Sequence, residues 1–223
     1  MILISLTKIV TTLFIPLFVF FAFAENPVPD SAKQIVLKGN SKGALACMTC
    51  HQENGAGMVA PGFPQLAGMN PFYFSKQIAD FTNGQRINPI MQPIAKGLSE
   101  KEVKDLAAYF ASLSVVKNTA NQTVTNAATL EEGQFIANNG LWHKGIPACF
   151  ACHGPQGEGV GENFPSITTQ GKLYLTAQLQ AWKKGTRKND SNQLMSTIAK
   201  KLTVKEMNAV TEYLSQYSSE VKK

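Results

Sequence analysis

The chain has 223 residues, 44% hydrophobic and 16% charged, which is enough apolar content for one large or two small folded domains and excludes a disordered chain. Its 17 glycines and 11 prolines exclude collagen-like and linker-like classes. The formal net charge of +6 raises the question of a nucleic-acid or membrane partner.

The first 24 residues have the pattern of an export signal. Lys8 precedes an almost wholly apolar run over residues 9–23, and Ala22-Phe23-Ala24 fits the small-residue rule for cleavage. The run is shorter than the roughly 20 residues that a membrane-spanning helix needs. We therefore expect residues 1–24 to be a signal peptide and the mature protein to be periplasmic, soluble or peripherally associated with the inner membrane. A retained signal that serves as an anchor is the alternative.

Two C-x-x-C-H pentads use every cysteine and two of the three histidines in the chain. Their members are Cys47, Cys50, His51, Cys149, Cys152 and His153. Two thiols three positions apart on a helical turn can add to the two vinyl groups of one haem, and the adjacent histidine then lies under the iron as an axial ligand. A thioredoxin-like pair or half a zinc site is the alternative for a single pentad. Two pentads in an exported chain instead favour two covalently bound haem c groups.

The pentads belong to an internal repeat of the whole chain. They coincide at a shift of 102 residues, and small length differences further along then bring Phe63-Pro64 onto Phe164-Pro165 and Tyr73 onto Tyr174. Each half should therefore hold one haem. The predicted division is a signal over 1–24, domain 1 over 25–113, a linker without periodicity over 114–128 and domain 2 over 129–223.

Helical patterns recur in both halves, and no run alternates like a strand, so we expect an all-α fold. Helical stretches are predicted over 71–82 and 172–184. Capping boxes, Ser99-x-x-Glu102 and Thr203-x-x-Glu206, precede the amphipathic helix that closes each half. A third box, Thr129-x-x-Glu132, is expected to open the second half, and Asp30 is expected to cap the helix that opens the first.

The sixth iron ligand separates an electron carrier from an enzyme. The remaining histidine, His143, coincides with Ser41 in the repeat, so we expect it to be partly exposed and not a ligand. Among the methionines after the first residue, only Met91 and Met195 coincide. The expected metal ligands are His51 and Met91 for the first haem, and His153 and Met195 for the second. This coordination leaves no open position and raises the reduction potential, which favours electron transfer over peroxide chemistry.

Only two arginines occur, Arg86 and Arg187, and they occupy equivalent positions. We expect each guanidinium to bind a haem propionate, or a carbonyl that orders the propionate edge; an exposed loop arginine is the alternative. Tyr73 and Tyr174 are expected to wall the pockets, with a propionate or the other domain as the partner of each hydroxyl.

Both halves resemble the dihaem cytochrome c4 family over essentially the whole mature chain. The segments that carry the resemblance include CMTCH, FYFSKQIADFTNGQR and NPIMQPIAKGLSEKEVKDLAAYF in the first half, and IPACFACHGPQGEG and LYLTAQLQAWKKGTR in the second. The resemblance implies two tandem cytochrome c domains about a pseudo-twofold axis, with haem edges close together. One departure is Gln52, where the family commonly has glycine, as Gly154 does in the second half.

The resemblance also implies an electron carrier, not an enzyme. Its partners would be a quinol-oxidising cytochrome bc complex, or a similar donor, and a haem-copper terminal oxidase such as the cbb3 type. A cytochrome subunit of a dehydrogenase complex and a dihaem peroxidase are the alternatives. Four haem propionates offset most of the positive charge, so no nucleic-acid partner is expected. The cluster of Lys183, Lys184, Arg187 and Lys188 predicts a docking surface for an acidic redox protein.

Overall fold

A computed structural model describes residues 29–116 and 126–217, and within these ranges the secondary structure is helical apart from isolated bridges. The predicted signal peptide and most of the predicted linker lie outside the described residues. Within the described ranges, no helix has the length and apolar content to cross a membrane.

Five helices form the part of domain 1 that the structure describes. They are α1 (Asp30–Lys38), α2 (Met48–His51), α3 (Pro71–Thr82), α4 (Met91–Lys96) and α5 (Glu100–Ser112). Helix α5 packs against α1 and α3, and α3 packs against α4. The centre of this domain is one apolar cluster that includes Val36, Phe74, Leu106 and Phe110.

Five helices and two short 3₁₀ turns form the described part of domain 2. The helices are α6 (Ala127–Asn139), α7 (Cys149–His153), α8 (Lys172–Lys184), α9 (Leu194–Lys201) and α10 (Val204–Gln216), and the turns are Trp142–Lys144 and Ser191–Gln193. Helix α10 packs against α6 and α8, and α8 against α9. The buried core falls into two clusters, one around Ile136 and Val210 and the other around Trp182 and Met207.

The predicted helices over 71–82 and 172–184 are confirmed as α3 and α8. Both closing capping boxes are also confirmed. The N–H of Ser99 donates to Glu102 at 2.7 Å, and the N–H of Thr203 donates to Glu206 at 2.8 Å.

The predicted starts of the two opening helices are wrong. Helix α6 begins at Ala127, two residues before the expected cap Thr129, because the side chain of Asn126 accepts the N–H of Ala128 at 2.9 Å and so caps the helix. Thr129 therefore lies inside the helix. In domain 1 the capping position is Pro29, which makes no side-chain bond there, and Asp30 is the first helical residue. Its carboxylate lies in the first turn, where it favours the helix dipole.

The length differences in the repeat correspond to local structure. After the first pentad, Met58 and Phe63 form an antiparallel bridge, and after the second the bridge joins Val160 and Phe164, one residue closer in sequence. The three extra residues of domain 2 coincide with the 3₁₀ turn Ser191–Gln193 ahead of α9. Both differences lie in loops, so equivalent helices keep equivalent places.

Candidate haem sites and domain interface

Each pentad forms a short helix that ends on a buried histidine. His51 and His153 are 7% and 8% exposed. Nδ1 of His51 lies 2.8 Å from the carbonyl oxygen of Pro64, and Nδ1 of His153 lies 2.7 Å from that of Pro165. A carbonyl can only accept, so each Nδ1 carries the proton and each Nε2 keeps its lone pair. This is the tautomer that an axial ligand needs.

Burial also keeps both imidazoles neutral. It lowers the pKa of His51 and of His153 below the ordinary value, and the hydrogen bonds to the proline carbonyls offset this only in part. A neutral imidazole is the form that binds a metal.

Cys47 and Cys149 are unsuited to thiol–disulfide exchange. Neither forms a disulfide with the other cysteine of its pentad. Burial raises the pKa of Cys47 to about 11 and that of Cys149 to about 12. A catalytic cysteine of the thioredoxin type needs a lowered pKa, because the thiolate is the nucleophile. The pentads therefore fit thioether attachment better than redox catalysis.

Gln52 keeps the turn after the first pentad in a strained backbone conformation. Its φ of 62° and ψ of 160° fall in a region that is essentially restricted to glycine. Gly154 has φ 90° and ψ 155° at the equivalent position. The N–H of Gly57 donates to the carbonyl of His51 at 2.9 Å, as that of Gly159 does to His153 at 2.7 Å. The departure from the family pattern leaves this turn unchanged.

The methionines predicted as ligands lie at equivalent helix starts. Met91 is the first residue of α4 and Met195 the second of α9. Both are half-buried against the core of their own domain. His143 is exposed, which agrees with its exclusion as a ligand, while Met207 is 2% exposed and belongs to the core. Ligation by Met91 and Met195 stays a prediction.

A cavity of about 840 Å³ opens beside the second pentad, between the two core clusters of domain 2. Its lining includes Cys149, Cys152, His153 and Met195. Two buried polar groups on its wall have no hydrogen-bond partner in the described residues, namely Nε1 of Trp182 and the side-chain amide of Gln65. A large apolar macrocycle that carries carboxylates fits both the apolar wall and these unpaired polar groups.

The two arginines join the domains. Nη2 of Arg86 donates to the hydroxyl of Tyr174 at 2.9 Å, and Nη2 of Arg187 donates to that of Tyr73 at 2.9 Å. Of the two partners expected for the tyrosine hydroxyls, a propionate or the other domain, the structure has the other domain. Although burial raises the pKa of Tyr174, the adjacent guanidiniums of Arg86 and Arg187 outweigh it and lower the pKa overall.

Gln77 and Gln178 complete this network. The side-chain oxygen of each glutamine accepts from both guanidiniums, at 2.8 to 3.0 Å. Each guanidinium also lies over an aromatic ring of its own domain, Arg86 4.5 Å from the centre of Phe81 and Arg187 3.9 Å from that of Trp182. Gln77 and Gln178 coincide in the internal repeat of the sequence. That coincidence was the only sequence pattern that could have indicated their shared role.

The arginine environment changes two expectations. Arg187 is 3% exposed, so it does not belong to the predicted basic surface cluster, whose lysines Lys183, Lys184 and Lys188 are exposed. Arg187 also lines the cavity, whereas Arg86 does not. Propionate binding stays a prediction for both, and the alternative of an exposed loop arginine is wrong because Arg86 is only 7% exposed.

Backbone contacts extend the interface on both sides of the arginines. Arg86 and Arg187 form an antiparallel bridge, flanked by hydrogen bonds from the N–H of Ile87 to Thr186 at 2.8 Å and from that of Lys188 to Gln85 at 2.7 Å. The side chain of Gln170 makes two further bonds to the backbone of Gln65. Sequence analysis missed Gln170, which coincides with a methionine in the repeat and so gave no signal.

Comparison with known proteins agrees with these two sites. The cytochrome c family model matches residues 36–114 and 130–218. The chain is 44% identical to the thiosulfate dehydrogenase electron acceptor of Stutzerimonas stutzeri, over 83% of this chain and 85% of that protein.

Two solved structures share the fold. Thiosulfate dehydrogenase from Marichromatium purpuratum superposes with a TM-score of 0.79 at 34% identity, over 85% of this chain and 40% of that one. Reduced cytochrome c4 from Pseudomonas stutzeri superposes with a TM-score of 0.72 at 29% identity, over 85% of this chain and 98% of that one. The chain therefore belongs to the cytochrome c family, as a dihaem electron carrier of the cytochrome c4 type with two covalently bound haem c groups.

Proposed function

We propose that this cytochrome accepts electrons from a periplasmic dehydrogenase that oxidises thiosulfate, and passes them on to a haem-copper terminal oxidase. The observation that carries the proposal is the 44% identity, over 85% of its length, to a protein named for accepting electrons from thiosulfate dehydrogenase. The likeness to the Marichromatium purpuratum enzyme supports the same donor.

The proposed attachment uses the repeat-related residues of each domain. Cys47 and Cys50 would hold the first haem, with His51 and Met91 as the iron ligands, and Cys149 and Cys152 would hold the second, with His153 and Met195. When bound, each haem c supplies a one-electron ferric/ferrous couple. The proline carbonyls fix the imidazole orientation, because each holds Nδ1–H and leaves Nε2 for the iron.

Two couples match the electron count of thiosulfate oxidation. Two thiosulfate ions that join through a new S–S bond form tetrathionate and release two electrons. The bond forms at the dehydrogenase, and this chain provides one acceptor for each electron. The polypeptide contributes the binding and the orientation of each haem.

A second candidate donor is a quinol-oxidising cytochrome bc complex, the donor that the cytochrome c4 resemblance implies. The TM-score of 0.72 to cytochrome c4 supports it. The two donors use different electron sources, because the dehydrogenase needs thiosulfate and a bc complex reduces the cytochrome with electrons from quinol.

Reduction assays separate the donors. The oxidised holoprotein is mixed with thiosulfate and catalytic thiosulfate dehydrogenase, and separately with quinol and a cytochrome bc complex, while ferrous haem absorbance is followed. We expect fast reduction of both haems in the first mixture and none with thiosulfate alone. Reduction by the bc complex only would overturn the thiosulfate proposal in favour of the second donor.

Location is tested by fractionation. We expect the protein in the periplasmic fraction, with an N-terminus at Glu25 by mass spectrometry. Recovery of the chain with residues 1–24 attached in the membrane fraction would show a retained anchor.

A further inference from the structure

We infer that domain 2, and not domain 1, carries the docking face for an acidic protein surface, with the indole of Trp142 as its central anchor. We define the domain 2 rim as Trp142, Lys183, Lys184, Lys200 and Lys201. The inference rests on the proposed electron-acceptor function and deepens it by naming the face and the partner chemistry.

Within residues 29–116 and 126–217, Trp142 is the most exposed of the large apolar side chains. Its exposed fraction is 72%, in the 3₁₀ turn that precedes the second pentad. The backbone bridge between Leu141 and Ile146 closes this turn, and residues 146–149 line the cavity. The indole therefore lies next to the chain segment that leads into the haem site. Exposed tryptophan at such a place is typical of an interface anchor, because it buries a large area at little entropic cost.

Hydrogen bonds from two lysines connect this turn with the ends of α9 and α8. Nζ of Lys201 donates to the carbonyl of Gly145 at 3.3 Å, which holds the end of α9 against the turn. Lys183 donates to the carbonyl of Leu202, which itself lines the cavity. Lys184 and Lys200 are exposed beside these two residues in sequence. The carboxylate of Glu206 is paired with Lys144 at 2.5 Å, so it does not offset the rim.

The repeat provides an internal comparison. The residue equivalent to Trp142 is Asn40, whose side chain bonds to Gly97 at 2.8 Å and to Glu102 at 3.1 Å. The equivalents of the four rim lysines are Thr82, Asn83, Lys96 and Gly97, so four charges in domain 2 correspond to one in domain 1. Because the folds are the same, the difference does not serve haem binding, which both domains share.

Charge complementarity identifies the partner surface. An exposed indole, with Lys201 bonded to its turn and Lys183 bonded to the residue after Lys201, favours an acidic surface with an apolar depression. The lysines steer the encounter and the indole holds the complex. Domain 1 is left as the second contact site of a two-haem carrier, with the exposed apolar side chains of Leu45 and Ile90 beside its pentad and α4.

The test measures binding without electron transfer. Oxidised ¹⁵N-labelled flavodoxin, an acidic protein whose carboxylates surround an apolar flavin edge, is titrated with the oxidised holoprotein and followed by NMR. We expect Trp142→Ala and the double variant Lys184→Glu/Lys201→Glu each to raise Kd about tenfold. The double variant should also lose most of the salt dependence of Kd, whereas Trp142→Ala should keep it.

The matched control is Lys33→Glu/Lys104→Glu, which makes the same charge change at exposed sites on α1 and α5 of domain 1. We expect it to change Kd less than twofold. Equal effects of both double variants would show that only net charge matters and would overturn the inference. Unchanged binding by Trp142→Ala would do the same.

A second copy of the chain is the competing occupant. If sedimentation shows a dimer of the wild type that Trp142→Ala dissociates, the rim is a self-association surface and the inference fails. Failure of the proposed function is separate, because it appears as absent reduction by thiosulfate dehydrogenase while flavodoxin binding still depends on the rim.

Discussion

Arg86 and Arg187 lie face to face across the domain interface, with paired backbones and with each guanidinium bound to a tyrosine of the opposite domain. Two adjacent buried cations repel each other, and the shared oxygens of Gln77 and Gln178 offset that repulsion by accepting from both. The interface therefore depends on a closed polar network, in which every member needs the others.

Removal of Arg86 should uncouple the domains. Arg86→Leu removes the donor that lies 2.9 Å from the Tyr174 hydroxyl and also the donors to Gln77 and Gln178, and we expect the free energy of unfolding to fall by about 2–3 kcal/mol. Because Arg86 does not line the cavity beside the second pentad, the content of the second haem should stay unchanged. Guanidinium denaturation, followed at haem and tyrosine bands, should change from one transition to two.

Arg86→Lys is the matched variant. An ammonium keeps the charge but cannot reproduce the forked contacts to Gln77, Gln178 and Tyr174. We expect Arg86→Lys to lose most of the free energy of unfolding that Arg86→Leu loses. If Arg86→Lys had the same free energy of unfolding as the wild type, the positive charge alone would hold the interface. That result would contradict the closed hydrogen-bond network.

Relief of strain at Gln52 should stabilise domain 1. A residue in this backbone region costs about 1–3 kcal/mol, and glycine adds about 0.5–1 kcal/mol of unfolded-state entropy. We therefore expect Gln52→Gly to raise the free energy of unfolding by about 1 kcal/mol, measured by chemical denaturation of the holoprotein.

The reciprocal change in domain 2 is the control. Gly154→Gln imposes the same strain, and a Cβ there lies 2.6 Å from Oε2 of Glu158. We expect a loss of about 1–3 kcal/mol. A neutral result for both variants would mean that the turn relaxes freely and stores no strain.

Replacement of the predicted methionine ligands should assign a potential to each domain. Histidine stabilises ferric iron relative to methionine, so Met91→His and Met195→His should each lower one potential by an amount on the order of 0.1 V, within the ~0.8 V range that axial ligands span. Redox titration of the separate variants measures this. If neither variant shifted a potential, the ligand assignment would be wrong, and Met58→His, at an exposed site outside the pentads, serves as control.

Acid should weaken the capping box of domain 1. Hydrogen bonds from the Ser99 backbone and hydroxyl hold the pKa of Glu102 below its ordinary value. The folded state then binds fewer protons than the unfolded state, so this contribution is present above the unfolded pKa and is lost as the pH falls through the folded pKa. Chemical denaturation at a series of pH values from about 7 to 3 measures this. The free energy of unfolding of the wild type should exceed that of Glu102→Gln at neutral pH, and the difference should shrink as the pH falls. A constant difference would exclude a role for the carboxylate charge.

Local rules predicted much of this fold. The 71–82 and 172–184 helices and the two closing boxes follow from sequence, because apolar spacing and Ser/Thr-x-x-Glu act within one or two turns. The same rule placed the start of α6 at Thr129 because that box is also a valid local signal. Asn126 competes for the same helix end, and sequence alone does not rank two caps of similar strength.

Site residues were predictable where both halves of the repeat have the same residue type at equivalent positions. The paired pentads identified the haem attachment, and the paired Phe-Pro segments marked the carbonyls that orient the histidines without revealing that role. The hydrogen bond from Arg86 to Tyr174 was not predictable from sequence, because it depends on how the two domains are placed relative to each other. The burial of Arg187, which removes it from the basic cluster, depends on the same placement.

The most direct test of the account is near-infrared magnetic circular dichroism of the oxidised holoprotein, which reports the axial ligands of each haem. Two haems per chain, both low-spin and both with a methionine-to-iron charge-transfer band, are predicted, and each band should disappear separately in Met91→His and Met195→His. A high-spin haem that reacts with peroxide, or a bis-histidine signal in the wild type, would contradict the assignment of the chain as a dihaem carrier with His/Met coordination in both domains.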